Sequence, residues 1–367
     1  MITISLCMIV KNEEAVLERL LRTMSTVADQ IVIMDTGSTD RTKEIAARYT
    51  DEVYDFPWTD DFAAARNAVC QKAVSDYWMW MDADDVMEPE QAARLKKLKE
   101  TLDPSVDVVM MKYLTGFDEN GRTSFSYYRE RILKNHKGFR WQGRVHEAVP
   151  PAGNILYTDI EIQHRKEGAG DKDRNLRIYE TMLSQGEPLE PRHQFYYARE
   201  LYYHERYEDA VRVFRAFLQE PDGWVENKID ACLHLALCEE HLGHTEKAVE
   251  ALLKSFLYDS PRGEACCELG RMKMKEEKYR EAAYWYTQAL SSRPAEQTGA
   301  FVRKDCYGFL PAIQLCVCYD RLGDHRRAWH YHLKSQKLKP EHPSVRQNQT
   351  YFEHKLKRPA EGQPSAL

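Results

Sequence analysis

The chain has 367 residues, more than one ordinary domain and enough for two. Hydrophobic residues at 43%, with 11% aromatics, exclude wholesale disorder, and 52 Lys plus Arg against 58 Asp plus Glu exclude the basic balance of a nucleic-acid binder. No run approaches the roughly 18 apolar residues of a membrane span, and the start turns charged by Lys11, so the expectation is a cytoplasmic protein without signal peptide or transmembrane segment.

Residues 1–115 alternate apolar runs with amphipathic stretches. The runs Ile2–Val10, Ile31–Asp35, Glu52–Phe56, Tyr77–Asp82 and Asp107–Leu114 are continuous, as in strands covered on both faces. Val16, Leu17, Leu20, Leu21 and Met24 form one apolar stripe of a helix, and 60–75 and 88–102 read as further helices, Pro89 suiting a first turn. Strand–helix–strand alternation predicts a doubly wound α/β domain that collects ligands beyond the carboxyl ends of its strands. Phe125–Leu133 and Ile155–Gln163 read as two more strands, and the segment 167–174 breaks regular structure.

The remainder is helical and repeats. Aligning Ala210, Ala248, Ala282 and Ala328 brings Phe214, Leu252, Tyr286 and His332 together four residues on, and Phe217, Ser255, Ala289 and Ser335 seven on. Twelve residues before them stand Ala198, Ala236, Gly270 and Cys316. The pattern resembles three to four degenerate tetratricopeptide repeats, although the alanines are 38, 34 and 46 residues apart and Glu205 stands where glycine is usual. Such repeats stack helix pairs into a curved solenoid with a concave binding face. Most of the nine cysteines (Cys232, Cys238, Cys266, Cys267, Cys316, Cys318) fall on these helices without a CxxC pair, so they read as buried small hydrophobes.

The densest candidate for chemistry is Tyr77-Trp-Met-Trp-Met-Asp82-Ala83-Asp84-Asp85, an apolar strand running into three acids. Grouped carboxylates suit Mg²⁺ or Mn²⁺; a solvated turn capping the helix near Pro89 is the equal alternative on spacing alone.

Over about residues 1–165 the chain resembles family 2 glycosyltransferases of the GT-A fold. The resemblance is carried, in order, by Ile9–Glu14, Ile31–Asp40, Phe62-Ala-Ala-Ala-Arg-Asn67, Met81–Asp85, Gly143-Arg-Val-His-Glu147 and Ile160–His164. The repeat half is similar to that of bacterial glycosyltransferases with tetratricopeptide repeats, including sublancin-type peptide S-glycosyltransferases. The expected organisation is a Rossmann-like GT-A domain (1–165), a helical linker (166–192), tetratricopeptide-like repeats (193–345) and a tail (346–367).

The resemblance implies an inverting, metal-dependent transfer of a hexose from a UDP-sugar, UDP-glucose or UDP-N-acetylglucosamine. Asp82 and Asp84, flanking Ala83, and the later His164 would hold Mn²⁺ or Mg²⁺; Asp85 would touch the sugar or orient its neighbour. Asp35 would accept from uracil, or cap the turn that follows it. Arg66 and Asn67 would brace the base or diphosphate, with an ion pair to Asp60 or Asp61 as the structural alternative for Arg66. Val10, Lys11, Asn12 and Glu13 would line the nucleotide slot. Glu147 is the first candidate for the base that deprotonates the acceptor, Asp118 the second. Trp58 and Trp141 would stack on a sugar or acceptor, or anchor the core. The implied acceptor is a Cys, Ser or Thr side chain of a peptide or protein held partly by the repeats, whose exposed ends would also allow a homodimer. A cell-envelope saccharide or lipid-linked precursor, and a non-catalytic repeat scaffold, are the alternatives.

Overall fold

The first strand, β1 (Ile4–Val10), is apolar throughout because both its faces are covered. Ile4, Leu6, Met8 and Val10 enter one core and Cys7 enters the opposite one, the alternation expected of a strand. β4 (Tyr77–Trp80) divides likewise, Tyr77 and Met79 on the first side, Trp78 and Trp80 on the second. The first core is closed by α1 (Leu17–Met24), α2 (Thr42–Ala46) and α4 (Pro89–Thr101); α3 (Phe62–Cys70) covers the other face. Leu17, Leu20, Leu21 and Met24 of α1 are essentially inaccessible, each worth about 1.5–3 kcal/mol of burial. The computed structural model describes residues 1–117, 121, 123–167, 171–295 and 298–357.

The remaining strands are β2 (Gln30–Asp35), β3 (Val53–Asp55), β5 (Asp85–Val86), β6 (Val108–Phe117), β7 (Thr123–Lys134) and β8 (Ile155–His164), in the order β3-β2-β1-β4-β7-β6-β8-β5. β1 is parallel to both β2 and β4, so strand order reverses beside it and the carboxyl ends of β1 and β4 open a crevice. β7 runs antiparallel to β4 and β6, and β5 antiparallel to β8. The sheet is therefore mixed. Continuous apolar runs report burial on both faces and not strand direction, which is why this departure from a parallel sheet is invisible in them.

The first compact unit contains Met1–Gly223, so it includes the helices α5 (Arg174–Ser184), α6 (Pro191–Tyr203) and α7 (Tyr207–Phe217). The second contains Trp224–Ala295 and Phe301 onward. Within it α8 (Val225–His241) pairs with α9 (Thr245–Lys254), α10 (Gly263–Lys275) with α11 (Tyr279–Ser291), and α12 (Phe309–Arg321) with α13 (His325–Leu338); α14 (Pro343–Lys357) follows.

The four aligned alanines lie in the first turns of α7, α9, α11 and α13 and are all fully buried. A Cβ added at Gly270 would come within 2.8 Å of the Tyr286 ring, so the small residue permits close helix approach. Each turn between paired helices is the same cap: the amide of Arg206, His244, Lys278 or Asp324 donates to the carbonyl of Leu201, Glu239, Lys273 or Tyr319. The residue before it is left-handed at Glu205, Gly243, Glu277 and Gly323. A tetratricopeptide-type array of helix pairs is thus built into the chain, with two glutamates in positions that favour glycine.

Candidate active site

The crevice at the ends of β1 and β4 is a cleft of about 900 Å³. Its lining includes Val10, Lys11, Asn12 and Glu13 at the carboxyl end of β1, Asp82, Ala83 and Asp84 after β4, and Arg66, Glu147 and His164. Burial, helped by the charges of Asp84, Asp82 and Asp40, pushes the Glu13 carboxyl up to about 7.

Strand pairing builds the acidic corner. β5 and β8 set Asp85 directly opposite His164, though they come from distant parts of the chain. His164 Nδ1 lies 3.3 Å from Asp84 Oδ1 and 3.7 Å from Asp85 Oδ1. Hydrogen bonds to Asp84 and Asp85 raise the imidazole to about 10. Asp84, Asp85 and His164 each place a donor atom within 4.8 Å of the others. Asp84 and His164 thus put a carboxylate and an imidazole, both metal-ligating groups, side by side at the cleft.

The three acids occupy different environments. Asp84 faces the cleft. Asp85 is fully buried and does not line it: its oxygens accept from Tyr113 Oη (2.8 Å), Arg131 Nη1 (3.0 Å) and the Asp82 amide (3.1 Å). Asp82 lines the cleft but gives Oδ1 to Arg66 Nη2 at 2.6 Å. Burial alone would raise the Asp82 carboxyl; the charges of Arg66 and Arg131 overturn it and hold it at about 2.

Arg66 leaves α3 beneath the cleft, where Asp61 caps that helix. Its guanidinium lies over Trp80 and Trp141, and its Nε donates to Glu147 Oε1 at 2.6 Å. Arg66 therefore joins Asp82 to Glu147, and not Asp60 or Asp61. Asn67 is turned away: its amide exchanges two hydrogen bonds with the Trp141 backbone. Trp141 is buried against Trp78 and Trp80, whereas Trp58 lines the cleft. Asp35 ends β2 almost inaccessible; Oδ1 accepts from the Gly37 and Ser38 amides while Oδ2 is buried without a partner. Asp118 lies outside the described residues.

Sequence reasoning missed Tyr113, whose hydroxyl contacts both Asp85 and His164 Nδ1 (3.0 Å), and Arg131, enclosed between the rings of Trp80 and Tyr113. The run of charges Arg129, Glu130 and Arg131 inside strand β7 was the available signal, since a buried cation demands a partner. It also missed Arg174, Asn175 and Arg177, which bring the start of α5 to the cleft wall.

Residues 5–156 match the family model described as Glycosyl transferase family 2. This part of the chain is a family 2 glycosyltransferase domain. The transferase domain has curated relatives in bacteria. A TPR repeat-containing protein of Synechococcus elongatus is 32% identical over 149 residues, 41% of this chain and 36% of that one. The SPbeta prophage-derived glycosyltransferase SunS of Bacillus subtilis is 27% identical over 228 residues, 57% of this chain and 51% of that one. The chain thus spans about half or less of the length of these relatives. Among solved structures, glucosyl-3-phosphoglycerate synthase from Mycobacterium tuberculosis, crystallised with Mn²⁺, UDP and glucosyl-3-phosphoglycerate, is 22% identical over 30% of this chain and 44% of that one, with a TM-score of 0.27. No described helix is long and apolar enough to cross a membrane.

Proposed function

We propose that the protein transfers a hexose from a UDP-sugar to a peptide or protein side chain, with inversion and with a divalent cation. The observation that carries this reading is Asp84 beside His164 at the mouth of the β1/β4 cleft, inside a family 2 domain. Asp84 and His164 would hold the cation, with Asp82 next to them. When bound, the cation neutralises the diphosphate that leaves with the nucleotide.

The chain's own groups divide the remaining work. Asp35, with its unpartnered Oδ2, would accept from the uracil imide, while Val10, Asn12 and Glu13 flank the nucleotide. Asp85 would orient: through Tyr113 it fixes the His164 ring, and through the Asp82 amide it fixes the preceding loop. Glu147 would take the proton of the acceptor as the new bond forms. Its carboxylate is held by an ion pair with buried Arg66. The resemblance to peptide S-glycosyltransferases favours cysteine as the acceptor.

The test is UDP release from UDP-glucose and UDP-N-acetylglucosamine, with and without Mn²⁺, in the presence of cysteine- and serine-containing peptides. Release that needs Mn²⁺ and is abolished by Asp84→Ala supports the reading. Full turnover in Asp84→Ala defeats it.

A further inference from the structure

α6 has two faces with different tasks. Phe195, Ala198 and Leu201 are fully buried on the side that pairs with α7, where Phe195 meets Phe217. Arg192, His193, Tyr196 and Glu200, spaced i, i+1, i+4 and i+8, form a second stripe, and each of them touches the 143–147 segment. The Arg192 guanidinium donates to the His146 carbonyl from Nε (3.3 Å) and Nη2 (3.2 Å). The His193 ring fills the space beside Gly143 that a Cβ would need. Tyr196 stacks on the His146 imidazole at 4.2 Å and 10°. The buried Glu200 carboxylate lies 2.7 Å from His146 Nε2 and accepts from Asn175 Nδ2 at 3.0 Å.

What these contacts hold is unusual. His146 has φ +50°, a left-handed conformation that an L side chain with a Cβ seldom adopts without support. That turn of the backbone sends the next side chain, Glu147, into the cleft wall against Arg66. The Glu200 carboxylate can only accept, so His146 Nε2 carries a proton and donates to it; burial keeps the imidazole below its ordinary range despite Glu200. Polar groups inside a structure hold a geometry best when each is satisfied, and here the carboxylate has both imidazole and amide donors.

We propose that the first repeat helix is a positioning element of the transfer site: Glu200, acting through His146, sets the Glu147 carboxylate against Arg66. The proposal deepens the reading of Glu147 as the acceptor's base and rests on it.

The experiment uses the full chain with Glu200→Ala, Glu200→Gln and Glu147→Gln. Mn²⁺-dependent UDP release from UDP-glucose with a synthetic cysteine peptide gives kcat and KM, and amide hydrogen exchange reports on residues 143–147. Glu200→Ala is expected to lower kcat about 10–100-fold, leave the KM for UDP-glucose within about twofold, and speed exchange at Val145, His146 and Glu147. Glu200→Gln, whose amide oxygen still accepts from His146, is expected to return kcat to within about threefold of the parent. Unchanged kcat and exchange in Glu200→Ala overturn the proposal, as does a Glu200→Gln variant no better than Glu200→Ala. If Glu200→Ala does not fold, Tyr196→Leu removes the stack on His146 and is judged by the same two readouts. Wild-type turnover in Glu147→Gln would sink the base assignment instead; exchange over 143–147 in Glu200→Ala then still decides whether α6 holds the loop.

Discussion

Arg66 and Glu147 stand 81 positions apart in the chain and 2.6 Å apart in the fold. The same guanidinium reaches Asp82 at 2.6 Å, so one buried cation ties the loop after β4 to the segment that carries Glu147. Burial works against the Arg66 charge, and Asp82 and Glu147 more than offset it, which keeps the guanidinium firmly protonated.

Removing Arg66 takes the shared counter-charge from the Asp82 and Glu147 carboxylates. Arg66→Met is expected to destabilise the first unit by about 3–5 kcal/mol. Arg66→Lys keeps the charge but not the two-sided fork, and should lose less stability while still impairing transfer. Urea denaturation followed by tryptophan fluorescence, beside UDP release, separates the two effects.

Asp84 and Asp85 are adjacent and should behave oppositely. Asp85→Asn breaks a fully buried pair with Arg131, whose Nε and Nη2 already lack partners, and is expected to cost about 3–5 kcal/mol. Asp84→Asn changes a group at the cleft and should shift stability by only about 0.5 kcal/mol while weakening Mn²⁺-dependent UDP binding at least about tenfold. Thermal melts paired with calorimetric UDP titrations would show the split; equal stability losses would contradict it.

Gly143 has φ +93° and sits where the His193 ring excludes a Cβ. Gly143→Ala should cost about 2 kcal/mol or more. Adding His193→Ala relieves the overlap but not the backbone strain, so the double variant should recover only part of the loss. Full recovery would show that φ matters little there.

The repeat turns offer the reverse case. Glu205 and Glu277 are left-handed at the position where Gly243 and Gly323 serve the same cap. Glu205→Gly and Glu277→Gly are each expected to stabilise by about 0.5–1 kcal/mol, and Gly243→Ala to destabilise by a similar amount. Melting temperatures that move the other way would mean the glutamate side chains supply something glycine lacks.

His193 gives a pH dependence. Burial first, then the charges of Arg192 and His146, lowers its imidazole from the usual 6.5 to about 4. Above pH 6.5 it is neutral folded or unfolded and contributes nothing. As pH falls below 6.5 the unfolded chain takes up a proton that the folded one refuses until about 4, so stability declines across that window, by about 3 kcal/mol at most. His193→Gln should flatten this part of the stability profile measured by urea titration between pH 7 and 4.

Much of this was legible one-dimensionally. The stripe of α1, the two-faced strands, and the buried alanines of the helix pairs follow from local periodicity, because a side chain's face is set by its spacing along its own element. The acids that follow β4 likewise stay together, since carboxylates neighbouring in sequence stay neighbours in any fold.

Which of those acids faces the cleft was a matter of tertiary structure. Asp82, Asp84 and Asp85 have similar spacing, yet one is bound by Arg66, one lies against His164 at the cleft, and one is enclosed by Tyr113 and Arg131. Asn67 turns to the Trp141 backbone, and Glu147 meets Arg66, because the fold brings distant segments of the chain together. Local pattern determines which face of an element is apolar; the charge environment of a side chain depends on partners the chain supplies from elsewhere, and no periodicity encodes them.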